Sequence, residues 1–326
     1  MKRTALAIGL AAAAYAGLQA QTARVDSAIP AYKKVSGISG NLNSVGSDTM
    51  NNMMTLWAEE FRKMYPNVKI QVEGKGSSTA PPALISGTSQ FGPMSRQMRA
   101  TEIDQFQLKY GYKPTELRTS HDALAVYVHR DNPLTKLTLA QVEAIFGKSR
   151  RRGFKQNITT WGHLGLTGEW ANRPISIYGR NSASGTYGFF KEHVLKNGDY
   201  KDTVKEQPGS ASVVQGVTED RFAIGYSGIG YKTSGVKVVP LSDTESSPVS
   251  DGNQADVVSG KYPLARYLYL YINRAPNKPL DPLVAEFTKL IFSKEGQEVV
   301  IKDGYMPLAA DIAKQELAKI TGKSGT

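Results

Sequence analysis

Apolar residues along the chain recur with two different periods. At Met50, Met53, Met54, Trp57, Ala58, Phe61 and Met64 they step by three and four, which marks one face of an amphipathic helix that Tyr65 and Pro66 end. The same reasoning predicts helices over 49–64, 82–87, 101–109, 139–146, 186–196, 282–292 and 294–303. Thr138 with Gln141 three residues later is a capping box for one of them. Apolar and β-branched runs at Val68–Val72, Leu124–His129, Ile175–Tyr178, Phe222–Tyr226, Val236–Val239 and Tyr267–Ile272 read as strands. Strand and helix alternate throughout, so an α/β architecture with helices packed on sheets is predicted. No internal repeat is visible. Residues 21–35 and 318–326 read as polar tails, and the Gly/Ser/Asp-rich stretch 242–256 as a surface loop.

The first twenty residues follow a different rule. Lys2 and Arg3 precede an Ala- and Leu-rich stretch that ends in small residues at Ala20. This is the pattern of a secretory signal peptide over 1–20, and its apolar part is too short to span a bilayer. The chain has no cysteine, so it carries neither a disulfide nor a lipoprotein attachment site. An exported protein of a Gram-negative periplasm, without membrane insertion, is the expectation. About 300 remaining residues suggest two lobes rather than one core. The chain of 326 residues has a net charge of +11, and removing residues 1–20 takes away two basic and no acidic residues, leaving +9. That field speeds the arrival of small anions. The dense basic run Lys148–Arg152 reads as a solvated turn, and no motif supports nucleic-acid binding.

Candidate chemistry concentrates where strands run into helices. Residues Gly179–Tyr187 join an apolar strand to a helical segment through Arg180, Ser184, Gly185 and Thr186. A helix N-terminus leaves backbone N–H groups unpaired and carries partial positive charge, hydroxyls add donors, and an arginine fork matches two oxygens of an oxyanion. Three further junctions share this character: Gly46–Thr49 with Ser47, Asp48 and Thr49; Gly74–Pro82 with Ser77, Ser78 and Thr79 ahead of prolines suited to a first helical turn; and Phe91–Arg96 with Ser95 and Arg96.

These four junctions, in this order, resemble those of the periplasmic phosphate-binding proteins of bacterial phosphate ABC importers. Asp131–Thr135, Ala223–Tyr226, Tyr262–Arg266 and Lys294–Gln297 extend the resemblance from about Ser36 to about Leu317. It implies the type II periplasmic-binding-protein fold, two mixed-sheet lobes flanked by helices and joined by two hinge strands. Lobe 1 would combine 36–122 with 270–320, lobe 2 would be 124–264, and the hinges would lie near 122–128 and 264–270. It also implies inorganic phosphate as ligand, a transmembrane ABC permease as partner, a monomer, and no cofactor or metal. The implied phosphate-binding residues are Ser47, Asp48, Thr49, Ser77, Ser78, Ser95, Arg96, Arg180, Ser184, Gly185 and Thr186. Many family members have an aspartate where this chain has Ser95, and that aspartate accepts the proton of hydrogen phosphate. Asp48, or less directly Asp122, is the candidate replacement.

Two other functions fit parts of the chain. The cleft would also suit another oxyanion, such as sulfate, molybdate or a phosphonate. A phosphatase or phosphoryl transferase would need a nucleophile with a base, or metals. The histidines His121, His129, His163 and His193 form no metal-binding pair, there is no GxSxG, and Gly147–Ser149 lacks the upstream glycine of a phosphate loop. A non-catalytic binding protein is therefore expected.

Overall fold

The computed structural model describes residues 23–321; the signal peptide expected at 1–20 lies outside them. In chain order the first elements are β1 (Gly40–Val45), α1 (Asn51–Met64), β2 (Val68–Glu73), α2 (Ala80–Ser86), β3 (Phe91–Met94), α3 (Ala100–Tyr110) and β4 (Thr115–His129). Then come β5 (Leu137–Thr138), α4 (Leu139–Phe146), β6 (Ser176–Arg180), α5 (Gly185–His193), β7 (Val204–Gln207), α6 (Ser210–Glu219) and β8 (Ala223–Gly228). The chain closes with β9 (Val236–Val238), β10 (Leu241–Ser242), α7 (Gln254–Val258), β11 (Ala265–Ile272), α8 (Pro282–Ile291), α9 (Lys294–Lys302) and α10 (Ala310–Thr321).

Nine of the strands form one sheet, eight of them in the order β2-β1-β3-β11-β4-β8-β6-β7 and the ninth, β9, paired to β4. Strand β4 is the join. Its first part runs antiparallel to β11, from Thr115 opposite Ile272 to Ala123 opposite Ala265. From Leu124 onward its partners are β8 and β9. The sheet thus has two halves that meet at β4 and β11. Strands β1, β2 and β3 are parallel in one half, and β6, β7 and β8 in the other. Parallel strands need crossover helices, which the chain supplies after β1, β2, β6 and β7.

Each half has its own core. In the first, Trp57 and Phe61 of α1 meet Phe91 of β3 and Phe287 of α8, with Phe61 edge-on to Phe287 at 5.3 Å. In the second, Phe146, Trp161, Phe190 and Tyr226 pack together, and Phe190 stacks on Tyr226 at 4.0 Å. Burying rings of this size contributes roughly 1.5–3 kcal/mol each.

Several sequence expectations change. The segment read as a polar tail at 21–35 is anchored where it is described: Ile29 is buried and the Tyr32 hydroxyl donates to Glu286 Oε2 at 2.7 Å. The tail read at 318–326 begins inside α10, which packs Ala313 and Ile320 into the first core. The loop read at 242–256 holds the end of β10 and the start of α7. The basic run Lys148–Arg152 is more than a solvated turn. Backbone N–H groups of Arg151 and Arg152 donate to the fully buried Glu143 carboxylate, and Arg152 donates side-chain bonds to the carbonyls of His193 and Val194 at the C-terminal end of α5. Those carbonyls are left over by the helix, and a cation there also suits its dipole.

Candidate anion-binding site

The four small-residue junctions converge where the sheet halves meet. Four hydroxyls from four chain segments come together: Thr49 Oγ1 lies 3.0 Å from Thr186 Oγ1, Ser95 Oγ lies 3.4 Å from Thr186 Oγ1, and Ser77 Oγ lies 3.3 Å from Ser95 Oγ. All four residues are buried. Local backbone contacts explain the convergence. Ser47 N donates to Pro93 O at 2.8 Å and Gly76 N to Gly46 O at 2.8 Å, so the loops after β1 and β2 are tied to each other and to β3. Thr186 arrives from the opposite half on the first turn of α5. Ser184 is the N-cap there, its Oγ accepting from Thr186 N at 3.1 Å and Tyr187 N at 3.3 Å. Gly185 has no room for a side chain: a Cβ would stand 2.3 Å from Ser77 Oγ and 2.7 Å from Ser95 Oγ. The N-terminus of α5 therefore abuts the hydroxyls of the other half directly.

Two buried arginines flank the cluster. Arg180, at the end of β6, donates to Ser210 Oγ at 2.7 Å and Pro208 O at 3.1 Å and lies 3.1 Å from Asp48 Oδ1. Burial holds its guanidinium below the ordinary arginine pKa, and the Asp48 charge opposes that. Its Nε, like the Ser47 hydroxyl, is buried without a hydrogen-bond partner. Leaving a buried donor unpaired costs roughly 1–3 kcal/mol, so such atoms in a cleft point to a ligand that pairs them. Arg266, on β11, donates to Ser95 O at 2.8 Å and to Thr186 Oγ1 at 3.0 Å. It also pairs with Asp122 at 2.7 Å, and Asp122 accepts from Ile229 N at 3.1 Å.

The predicted residues fall into three groups. Thr49, Ser77, Ser95, Ser184, Gly185 and Thr186 form the cluster. Ser47, Asp48 and Arg180 border it, and Asp48 also caps α6 by accepting from Ser210 N at 2.7 Å. Ser78 and Arg96 lie to one side. Arg96 is held by both oxygens of Glu102 at 2.7 Å, and Ser78 N donates to Ala183 O at 3.1 Å, a tie between the halves. Both candidate proton acceptors are occupied, Asp48 by Arg180 and Ser210 N, Asp122 by Arg266 and Ile229 N. Arg266 itself was not among the predicted site residues. The available signal was its position: it occupies the inward phase of β11 shared by Leu268 and Leu270.

Two α/β half-sheets that bring hydroxyls, arginines and a helix N-terminus together at their junction have the donor set of an anion-binding protein. A sequence model of the PBP superfamily domain matches residues 31–295. The chain is 54% identical, over 98% of its length and 99% of the relative's, to "Phosphate-binding protein PstS" of Pseudomonas aeruginosa PAO1. It resembles the solved structure of a putative phosphate ABC transporter substrate-binding protein with bound phosphate from Clostridium perfringens, with a TM-score of 0.68 and 25% identity over 82% of this chain and 100% of that one. It also resembles a possible phosphate binding protein from Planctomyces limnophilus, with a TM-score of 0.63 and 26% identity over 88% and 99% of the two chains. The chain belongs to the PBP superfamily and, within it, to the PstS family, with that family's mixed α/β fold of type II.

Proposed function

We propose that this protein binds inorganic phosphate in the periplasm and delivers it to the membrane permease of an ABC importer, without chemical change. The observation that carries this reading is the meeting of Thr49, Ser77, Ser95 and Thr186 against the N-terminus of α5, between Arg180 and Arg266. The relatives named phosphate-binding proteins supply the identity of the anion. Neutral hydroxyls and backbone N–H groups replace the water of the dehydrated anion, while the arginines and the helix dipole meet its charge. The halves act as lobes, 36–122 with 270–320 and 124–264, hinged near 122–128 and 264–270, and they close on the ligand. A monomer suffices for this mechanism, and it needs no cofactor or metal.

A binding role fits the site better than catalysis. Among the described residues no histidine hydrogen-bonds any of the four hydroxyls, and both nearby aspartates are bound to arginine. A hydroxyl nucleophile would have no base. The test is calorimetric titration of protein unfolded and refolded without phosphate, with phosphate, arsenate, sulfate and molybdate injected in turn. One-to-one phosphate binding with sulfate at least about a thousandfold weaker, on the order of 4 kcal/mol, is expected. Equal affinities for the two anions would replace phosphate by a general oxyanion in this reading.

A further inference from the structure

A cavity of about 790 Å³ opens beside the hydroxyl cluster. One wall is the turn Arg96–Arg99 that follows β3. The facing wall is α5, at Tyr187, Gly188 and Lys191, and the floor is β11, at Arg266, Tyr267 and Tyr269. The walls come from opposite sheet halves and the floor from a strand that joins them, so this cavity has its present shape only with the halves at this separation.

Its size and lining differ from those of the inner cluster. The volume falls in the range of roughly 300–1,000 Å³ typical of small-molecule sites, far more than one tetrahedral anion fills. Arg96, Arg99, Lys191 and Arg266 line it with Glu192, and Arg96, Lys191 and Arg266 are paired with the carboxylates of Glu102, Asp199 and Asp122. Arg99 forms no salt bridge among the described residues. Arg96 is 7% exposed, yet its Nε has no hydrogen-bond partner. That Nε lies at the cavity wall, 3.7 Å from where a Cβ on Gly188 would stand, with Arg99 Nη2 3.6 Å from the same point. Aromatic rings make up part of the remaining surface, beside Gln97, Met98 and Asn197. Phe189 stacks on His193 at 3.9 Å, and the Arg266 guanidinium sits 5.2 Å above the Phe189 ring. Flat rings beside unpaired guanidinium N–H groups suit a ligand with an aromatic body and one anionic group.

We propose that this cavity is a second binding site, for an aromatic organic anion, and that its occupancy is coupled to that of the inner cluster. Arg266 touches both sites, and each ligand favours the closed arrangement, so each tightens the other by the same factor. The coupling rests on the phosphate reading; the site itself does not.

The test uses 2-naphthalenesulfonate, titrated calorimetrically into the mature protein with and without saturating phosphate. One-to-one binding is expected, tightened about fivefold or more by phosphate. Arg99→Ala with Lys191→Ala should weaken the probe at least about tenfold, the loss of one to two charge-assisted bonds. Gly188→Met, which projects a side chain between Arg96 and Arg99, should abolish probe binding. Neither variant alters a residue of the inner cluster, so phosphate affinity stays within about twofold of wild type in both. Should Gly188→Met fail to fold, the double alanine variant carries the test alone. Displacement of the probe by phosphate would overturn the proposal, as would absence of saturable binding or probe affinity indifferent to these substitutions. Probe binding in a protein that takes up no phosphate would leave this site standing and remove the phosphate reading and the coupling.

Discussion

Arg266 and Asp122 face each other in register across β11 and β4, both buried, at the point where the two sheet halves join. Removing one member of a buried ion pair leaves the other uncompensated. Arg266→Met should therefore destabilise the fold by about 3–5 kcal/mol in urea unfolding. Pairing it with Asp122→Leu removes the stranded charge and should restore most of that stability, since apolar replacement of a buried pair is often neutral. Phosphate affinity should stay at least about tenfold reduced in the double variant, because Thr186 Oγ1 has lost its charged donor. Recovery of affinity along with stability would make Arg266 a purely structural residue. The pair also shows what a sequence hides. The Ser, Thr and Gly residues of the site stand at strand-to-helix junctions, where local composition reveals them. Arg266 lies inside a strand, and only the antiparallel register, a contact between residues far apart in the chain, brings it to the cluster.

At the scale of elements, α5 does most of the positioning. Its N-terminus meets Ser77 and Ser95, while Arg152 fixes the carbonyls at its other end. Gly185→Ala tests this directly. Alanine suits a first-turn helical position, so unfolding stability should change by less than about 1 kcal/mol. The new Cβ, 2.3 Å from Ser77 Oγ, requires the halves to move apart. Phosphate affinity should fall on the order of a hundredfold, with a larger radius of gyration in small-angle scattering in the presence of phosphate. Unchanged affinity would mean that the loops yield and the close approach is dispensable. Periodicity is clearest in α1, α8 and α9, whose apolar residues keep to one side. Strand β3 is hidden because Gly92 and Pro93 argue against a central strand, yet Gly92 lets α2 pack closely there: a Cβ would stand 2.7 Å from Leu84 Cδ1. The first part of β4 was hidden by Arg118, Ser120 and Asp122, polar residues whose partners Glu316, Met53 and Arg266 lie elsewhere in the chain. Helix α6 escaped because its serines, valines and Gly216 have weak helical propensity and its stability comes from packing on β8.

For the whole molecule, a half-buried carboxyl and a buried imidazole near the junction of the halves oppose each other as pH changes. Burial pushes the Asp303 carboxyl up to about 7, and its Oδ2 has no hydrogen-bond partner. The native state thus holds this proton more tightly than the unfolded chain, and the associated stability, present in acid, is lost as pH rises toward 7. His121 behaves in the reverse sense. Burial, then the Arg118 charge, pushes its imidazole down to about 4. The native state keeps it neutral, so its contribution is present above the ordinary histidine range and is lost as pH falls toward 4. The two are linked through one segment: Met306 exchanges backbone hydrogen bonds with His121, and Asp303 lies three residues earlier, against Gly230 of the turn after β8. Between pH 4 and 7 their effects cancel in part, and wild type hides both. Asp303→Asn should gain stability relative to wild type as pH rises through that window, by on the order of 1–3 kcal/mol. His121→Gln should lose less than wild type on acidification. Urea unfolding at pH 4.5, 5.5, 6.5 and 7.5 measures both differences, and parallel curves for wild type and Asp303→Asn would show that this carboxyl titrates as an ordinary surface aspartate.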